Sequence, residues 1–470
     1  MADFGYDITN YCDIAPLFGT LADFDALVQE VHQRGLKVVL DFVPNHTSDQ
    51  HPWFIESRSS RRNDKRDWYI WCDGKPDGAP PNNWVSQFGG PAWTFDAATR
   101  QYYLHSFLSQ QPDLNWRNPE VRHAMYNVLR FWLDRNVDGF RVDVLWLLIK
   151  DALFRDNPPN PNYRQNQPAI DRYLSLYNAD QPEIHDVVAE MRSVLDAYAD
   201  RVLIGEIYLP FSRLALYYGK NLEGAQLPFN FALIHAAWSA SEIAGLIRDY
   251  EQALPRDGWP NWVFGNHDQP RIAARVGPRR ARTAAMLLLT LRGTPTMYYG
   301  DEIGLARVAI PQDLVQDPWE KNEPGLGVGR DPWRTPMQWD ASEGAGFTTG
   351  TPWLPFAADF ARNNVAALKR APSSLLCLYR ALIELRRHHR ALSVGAVRVL
   401  AVDNNVLCFE RRCGDERLIV ALNFGDEDAP LNVPGVNGVT ALLSTFMDRA
   451  GVATELRLRP NEGIILGVAQ

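Results

Sequence analysis

Four short apolar runs, each closing on a carboxylate or a histidine–aspartate pair, constrain this chain more than any other feature. They are Lys37-Val-Val-Leu-Asp41, Val137-Asp-Gly-Phe-Arg-Val-Asp143, Arg201-Val-Leu-Ile-Gly-Glu206 and Trp262-Val-Phe-Gly-Asn-His-Asp268. Each is too short for a helix and lacks the polar alternation of a sheet with one wet face. Such runs read as strands buried on both faces, hence parallel. Amphipathic helices stand between them. Thr20 and Asp23 form a capping box ahead of Leu21, Phe24, Leu27, Val28 and Val31, and Gly35 stops that helix. Asn118 and Pro119 open a second, with Val121, Met125, Val128, Leu129, Trp132 and Leu133 on one face. Pro182 opens a third through Val187, Met191, Val194 and Leu195, and a helix over Ala284 to Leu291 precedes a strand at Thr296 to Tyr299. Helix and buried strand in alternation specify an α/β fold with a parallel sheet. A doubly wound sheet satisfies that pattern, but functional groups at successive strand ends point to a (β/α)8 TIM barrel.

Two stretches break the rhythm. Residues 46–117 are rich in Trp, Asn, Pro and Gly and carry a basic run from Arg58 to Arg66. They read as an inserted irregular domain whose tryptophans form its core, with the basic run as a solvated loop. Residues 305–360 are a second insertion, followed by a helix over 373–389. From about residue 395 the apolar period drops to two, through Val397–Ala401, Val406–Phe409, Leu418–Asn423 and Leu456–Val468. That pattern specifies a C-terminal antiparallel β-sandwich. The expected domains are a barrel over 1–45 and 118–392, the insertion over 46–117 and the sandwich over 393–470.

A formal net charge of −8 argues against nucleic acid as the partner, because phosphate binding needs a basic face. No apolar run reaches the roughly 20 residues of a membrane span, and the first residues show neither the basic stretch nor the apolar core of a signal peptide, so secretion is not expected. Five cysteines without metal spacing read as reduced thiols, so the expected compartment is the cytoplasm. Two carboxylates at one face of the sheet, Asp143 and Glu206, suit glycoside hydrolysis, where one attacks and the other donates a proton. Arg141, two residues before Asp143 on the same strand face, is expected to hold it ionised. Glu206 has no cation beside it in sequence, so an apolar surround would keep it protonated as a general acid. His46 and the His267–Asp268 pair suit sugar hydroxyls.

The stretches Asp41-Phe-Val-Pro-Asn-His46, Gly139-Phe-Arg-Val-Asp-Val144, Gly205-Glu-Ile-Tyr208 and Phe264-Gly-Asn-His-Asp-Gln269 resemble, in order and spacing, the four shared regions of the α-amylase family (glycoside hydrolase family 13). Gln111-Pro-Asp-Leu-Asn115 and Arg330-Asp-Pro-Trp-Arg-Thr-Pro-Met-Gln-Trp339 are similar to its oligo-1,6-glucosidase and α-glucosidase subgroup. The resemblance implies roles position by position. Asp143 is the nucleophile, Glu206 the general acid/base and Asp268 the third carboxylate that stabilises the transition state. Arg141 orients the nucleophile, and His46 and His267 bind the glucose. Asp3 and Tyr6 hold and stack on the non-reducing sugar, and Arg334 pairs with Asp3. Asp41 supports its strand end.

The implied reaction is retaining hydrolysis of small α-glucosides or of malto- and isomalto-oligosaccharides through a covalent glucosyl-enzyme. Val144, after the nucleophile, leans toward α-1,6 linkages, and the linkage stays open. An α-glucosyltransferase or trehalose-forming isomerase shares the same residues. A catalytically silent member serving as a binding or partner protein is the alternative from another class. The resemblance implies no cofactor and no metal, calcium entering only through a loop after the first barrel strand. It implies a monomer or weak homo-oligomer. It also places Met1–Tyr6 after the second barrel strand, so that strands one and two are expected to be missing and Met1 to be an internal methionine.

Overall fold

The protein is described by a computed structural model covering residues 1–403, 405–431, 438–452 and 457–468. The chain forms two compact units, Met1–Pro228 with Gln316–Gly329, and Phe229–Val315 with Arg330–Gln470.

In the first unit, helix–strand alternation builds a parallel four-stranded sheet in the order Val39–Phe42, Gly139–Val142, Val202–Gly205 and Leu227–Pro228. The helix Leu21–Gln33 starts where its capping box demands. Asp23 N–H donates to Thr20 Oγ1 and Thr20 N–H donates to Asp23 Oδ2. The helix Pro119–Leu133 is capped by Asn118 and buries all six apolar residues of its expected face. Gly139 opens the second strand where a β-carbon would lie 2.3 Å from the Val202 carbonyl oxygen, so only glycine lets the two backbones pair there.

One strand differs from expectation. Val39–Phe42 is an edge strand with Val39 and Asp41 exposed, not one buried on both faces. The helix before it leaves Leu27 exposed and fully buries only Val28. A cavity of about 530 Å³ lies beside this strand, lined by Phe24, Leu40, Phe42, Val128, Trp132 and Phe140 among others.

The insertion contains a three-stranded antiparallel sheet, Trp71–Cys72, Gln101–Leu104 and Trp93–Asp96, over a core of Trp84, Ala92, Trp93 and Leu104. The basic run is only in part a solvated loop: Arg58, Arg61 and Arg62 are exposed, but the run is anchored at its end. Arg66 is buried, stacked 3.4 Å from the Trp71 ring centroid and donating to Gln101 Oε1, Thr99 Oγ1 and the Ser57 carbonyl. Arg58 pairs with buried Asp96 at 2.8 Å. Guanidinium groups stack and donate in a plane, so an arginine run can staple a small irregular domain as well as face water.

In the second unit Asn230 bridges Trp262 in parallel, and Asn261–Val263 pairs in parallel with Thr294–Thr296. The last strand thus ends at Thr296, short of Tyr299. Tyr298 and Tyr299 leave it to donate to the Trp333 and Thr335 carbonyls. The helix Pro278–Thr290 is buried from Thr283 to Thr290, packed between the helix Leu375–His388 and the C-terminal sheet. That sheet is six-stranded and antiparallel, in the order Ala396–Asp403, Val406–Cys413, Glu416–Asn423, Gly463–Val468, Val439–Ser444 and Gly451–Val452. A two-stranded pair, Ala429–Pro430 with Arg457–Leu458, accompanies it. Val406, Cys408, Ile419, Ala421, Ile464 and Leu466 fill the core at alternate positions. Leu456, the first residue of the expected last strand, lies outside the described residues. No helix among the described residues is long and apolar enough to cross a membrane.

Candidate active site

In the first unit the parallel register delivers the carboxylates to one level. Asp41 and Arg141 are direct partners across the first two strands, and Val142 faces Gly205 across the next two. The ladder continues one residue further, with Asp143 N–H donating to the Phe42 carbonyl and Glu206 N–H to the Val142 carbonyl. Asp41, Asp143 and Glu206 therefore end their strands around one guanidinium. Arg141 Nη1 donates to Asp143 Oδ1 at 2.6 Å and to Asp41 Oδ1 at 2.7 Å, and Nη2 lies 2.6 Å from Glu206 Oε2.

This geometry corrects two expectations. Glu206 does have a cation, from a strand 65 positions earlier. And Arg141 is not a private counter-ion for Asp143, because three carboxylates share it. Burial pushes the Asp143 carboxyl well above the usual range. Arg141 opposes that shift, and the negative charges of Glu206 and Asp41 add to it.

The N-terminal segment reaches the same place. Tyr6 donates to Asp41 Oδ2 at 2.6 Å. Asp7 caps the segment by accepting from the Ala2 and Asp3 amides, and Tyr6 N–H closes a turn on the Asp3 carbonyl. His46 is buried, and burial lowers its pKa despite Asp113 and Asp3 nearby, so its ring is neutral. Its Nδ1 faces the Asn45 amide at 3.2 Å, and its Nε2 lies 3.0 Å from the Tyr6 carbonyl. Nδ1 is therefore the acceptor and Nε2 the donor, a tautomer assigned from these partners.

Sequence reasoning missed two residues here. Gln111 is fully buried, and its amide nitrogen lies 3.2 Å from Asp3 Oδ2 and 3.1 Å from His46 Nε2, which ties these two expected sugar ligands together. Lys150, buried, donates to Asp113 Oδ2 and Asn45 Oδ1, both at 2.7 Å. A lysine closing the apolar run Leu145–Ile149 was the available signal, since an ammonium there must find a buried partner.

The second unit holds His267, Asp268 and Arg334. The Asn266 side chain caps the turn by accepting from Asp268 N–H. Asp268 Oδ1 accepts from Arg334 Nη2 at 2.7 Å and from Arg330 Nη1 at 3.1 Å, and Arg334 Nε donates to the His267 carbonyl. His267 Nε2 lies 3.3 Å from Asp268 Oδ2. Arg330, a second cation on Asp268, was not anticipated. Beneath this group Arg271 is fully buried against the Tyr298 and Tyr299 rings. Asp301 is buried as well, with no hydrogen-bond partner at Oδ1. Burial raises Asp301 to about 7, against the pull of Arg271.

That raised value makes a prediction. A carboxyl whose folded pKa lies above its unfolded one contributes stability that is full below the unfolded value and lost as pH rises through the folded one. The wild type is expected to lose about 4 kcal/mol relative to Asp301→Asn as pH rises from about 4 to about 8. Urea unfolding of both proteins across that range checks it, and parallel pH curves refute it.

Among the described residues no group of three or more His, Cys, Asp or Glu side chains is placed to hold a metal ion.

Known proteins resemble this chain along most of its length. Residues 1–395 match the alpha amylase catalytic domain. The chain is 40% identical over 449 residues to a probable alpha-glucosidase of Rhizobium meliloti (strain 1021), covering 92% of this chain and 81% of that protein. It is 37% identical to the oligo-1,6-glucosidase of Parageobacillus thermoglucosidasius, covering 98% of this chain and 88% of that one. Among solved structures, the alpha-glucosyl transfer enzyme XgtA superposes with a TM-score of 0.93 at 37% identity, covering 100% of this chain and 90% of that one. With the match spanning more than four-fifths of its length, the chain belongs to the α-amylase family of glycoside hydrolases.

Proposed function

We propose that this protein is a retaining α-glucosidase that removes the terminal non-reducing glucose from small α-glucosides. The observation that carries the reading is the pair Asp143 and Glu206 on one shared guanidinium. Two buried carboxyls beside one guanidinium can divide the roles of nucleophile and acid. Asp143 attacks the anomeric carbon, and the bond to the leaving oxygen breaks as Glu206 gives that oxygen its proton. Glu206, now ionised, takes a proton from water, which displaces Asp143 from the sugar. Asp3, Tyr6 and His46 hold the non-reducing side of that glucose. In the second unit Asp268, held by Arg330 and Arg334 with His267 beside it, corresponds to the third carboxylate of the family pattern. Relatives named α-glucosidase and oligo-1,6-glucosidase support this substrate class, and five free cysteines suit a reducing compartment.

A second reading keeps the first half-reaction and replaces water by a sugar hydroxyl. The likeness to a structure described as an α-glucosyl transfer enzyme favours it. Proton NMR of fresh digests of maltose and isomaltose separates the readings. The expected first product is α-glucose, which then mutarotates. β-Glucose formed first overturns the retaining mechanism, and trisaccharides or trehalose formed at millimolar maltose favour transfer.

A further inference from the structure

We propose that Val144 is a positioning residue for the catalytic proton: its main-chain N–H fixes Glu206 Oε2 as an acceptor, so that the acid proton is carried and delivered by Oε1. The inference rests on the glucosidase reading above and adds to it the atom that does the work.

The observation is a backbone one. Val144, directly after the expected nucleophile, has φ 38° and ψ 45°. That is the left-handed region, where a β-branched residue is an outlier. Strain of this kind persists only where the surroundings over-determine it. Here they do. The Val144 side chain is packed against Leu147 and Ala179, with Phe107 and Trp146 around them. The next residue is stitched to the acid's own strand end, Leu145 N–H donating to the Glu206 carbonyl at 3.2 Å and Glu206 N–H to the Val142 carbonyl at 3.0 Å. Gly205 gives Leu145 its room, since a β-carbon there would lie 2.8 Å from Leu145 Cδ2. The outcome of the turn is that Val144 N–H points at Glu206 Oε2, 3.0 Å away.

Arg141 Nη2 meets the same oxygen at 2.6 Å. A carboxyl oxygen that accepts from two N–H donors is not the one that carries the proton, because both of its lone pairs are engaged. With Oε2 the acceptor, Oε1 is the oxygen that gives a proton to the leaving group and later takes one from water. The two donors also set how readily Glu206 lets go. Asp143 beside Arg141, and Asp41 at the edge strand with Tyr6 on it, place negative charge around the carboxyl and favour its protonated form. The Val144 N–H and the Arg141 guanidinium act in the opposite sense. The result is an acid that also serves as a base one half-reaction later.

Replacing Val144 with its α-hydroxy acid counterpart converts this N–H into an ester oxygen and leaves the isopropyl group in place. In kcat/KM for an aryl α-glucoside, the basic limb of the pH profile is expected to move up by about one to two units, the worth of a hydrogen bond to a charged group. Val144→Gly keeps the N–H and takes the left-handed turn without strain, so its limb is expected to stay where the wild type has it. An unmoved limb in the ester, or the same shift in the glycine variant, overturns the inference. Neutron density of the wild type tests it without any variant: a deuteron on Glu206 Oε1 is expected, and one on Oε2 overturns it. Glu206→Gln separates this inference from the reading beneath it. If the basic limb survives in that variant, Glu206 is not the acid and the proposed function fails. If the limb vanishes there but the ester leaves it in place, the role of Val144 alone fails.

Discussion

Asp143→Asn is expected to lower kcat on maltose by about 10⁴-fold or more, with a melting temperature equal to or above that of the wild type. The two halves of that result have separate causes. An amide does not attack the anomeric carbon, so the covalent step is lost whatever else survives. Stability moves the other way because of the charge count around Arg141. Three carboxylates face one guanidinium, and burial pushes Asp143 far above its ordinary range. An asparagine of the same shape removes one of those buried charges and still offers its carbonyl oxygen to Arg141 Nη1. Sites that hold like charges in low dielectric give up stability for chemistry. Kinetics and thermal melts on the same preparation check both halves. Normal turnover refutes the nucleophile assignment. Lost turnover with a large drop in melting temperature would make Asp143 a structural residue instead.

The positions of helices and strands were legible because their signals are local. Thr20 and Asp23 lie three residues apart, and Asn118 sits next to Pro119. The helix they begin carries its whole buried face within 15 residues. The strand-end carboxylates were legible for a related reason. In a parallel sheet every strand ends on the same side, so Asp143 and Glu206 reach one face without any knowledge of register. What joins them was not legible. Arg141 meets Asp41 across 100 positions and Glu206 across 65, and nothing in the local sequence says that one guanidinium serves all three. The basic run misled for the same reason. Arg58 and Arg66 look like a solvated patch until Asp96, Thr99 and Gln101 fold back onto them. The left-handed turn at Val144 escaped because the residue type argues against it. Valine is a poor occupant of that conformation, and only tertiary packing holds it there.

Lys150→Met is expected to destabilise the protein by about 3–5 kcal/mol, the cost of leaving one member of a buried ion pair behind. Lys150 and Asp113 are both almost wholly shielded from solvent, 1% and 0% exposed at the side chain, and 2.7 Å apart. Burial pushes the Asp113 carboxyl up, but the Lys150 ammonium and the Ser106 donors outweigh it and hold Asp113 below its ordinary value. Burial lowers Lys150, and the Asp113 carboxylate opposes that shift. In the methionine variant Asp113 keeps Ser106 and Asn45 as donors but loses its counter-ion. The sign of the pH dependence follows. A carboxyl whose folded pKa is depressed contributes stability that is present above its unfolded value, about 3.9, and is lost as pH falls through the folded one. Lys150→Met removes the depression, so acidification below about pH 4 is expected to cost the variant less than the wild type. The double change Lys150→Met with Asp113→Asn takes away both charges. It is expected to recover a large part of the loss, because an uncompensated charge is worse than no pair at all. Asn45 gives this pair its bearing on function. Its side-chain oxygen accepts from Lys150 while its amide faces His46 Nδ1. The single variant therefore loosens the ring that is proposed to bind glucose. A rise in KM larger than the fall in kcat is expected in Lys150→Met at temperatures where it stays folded. An unchanged KM alongside a lowered melting temperature would confine Lys150 to stability.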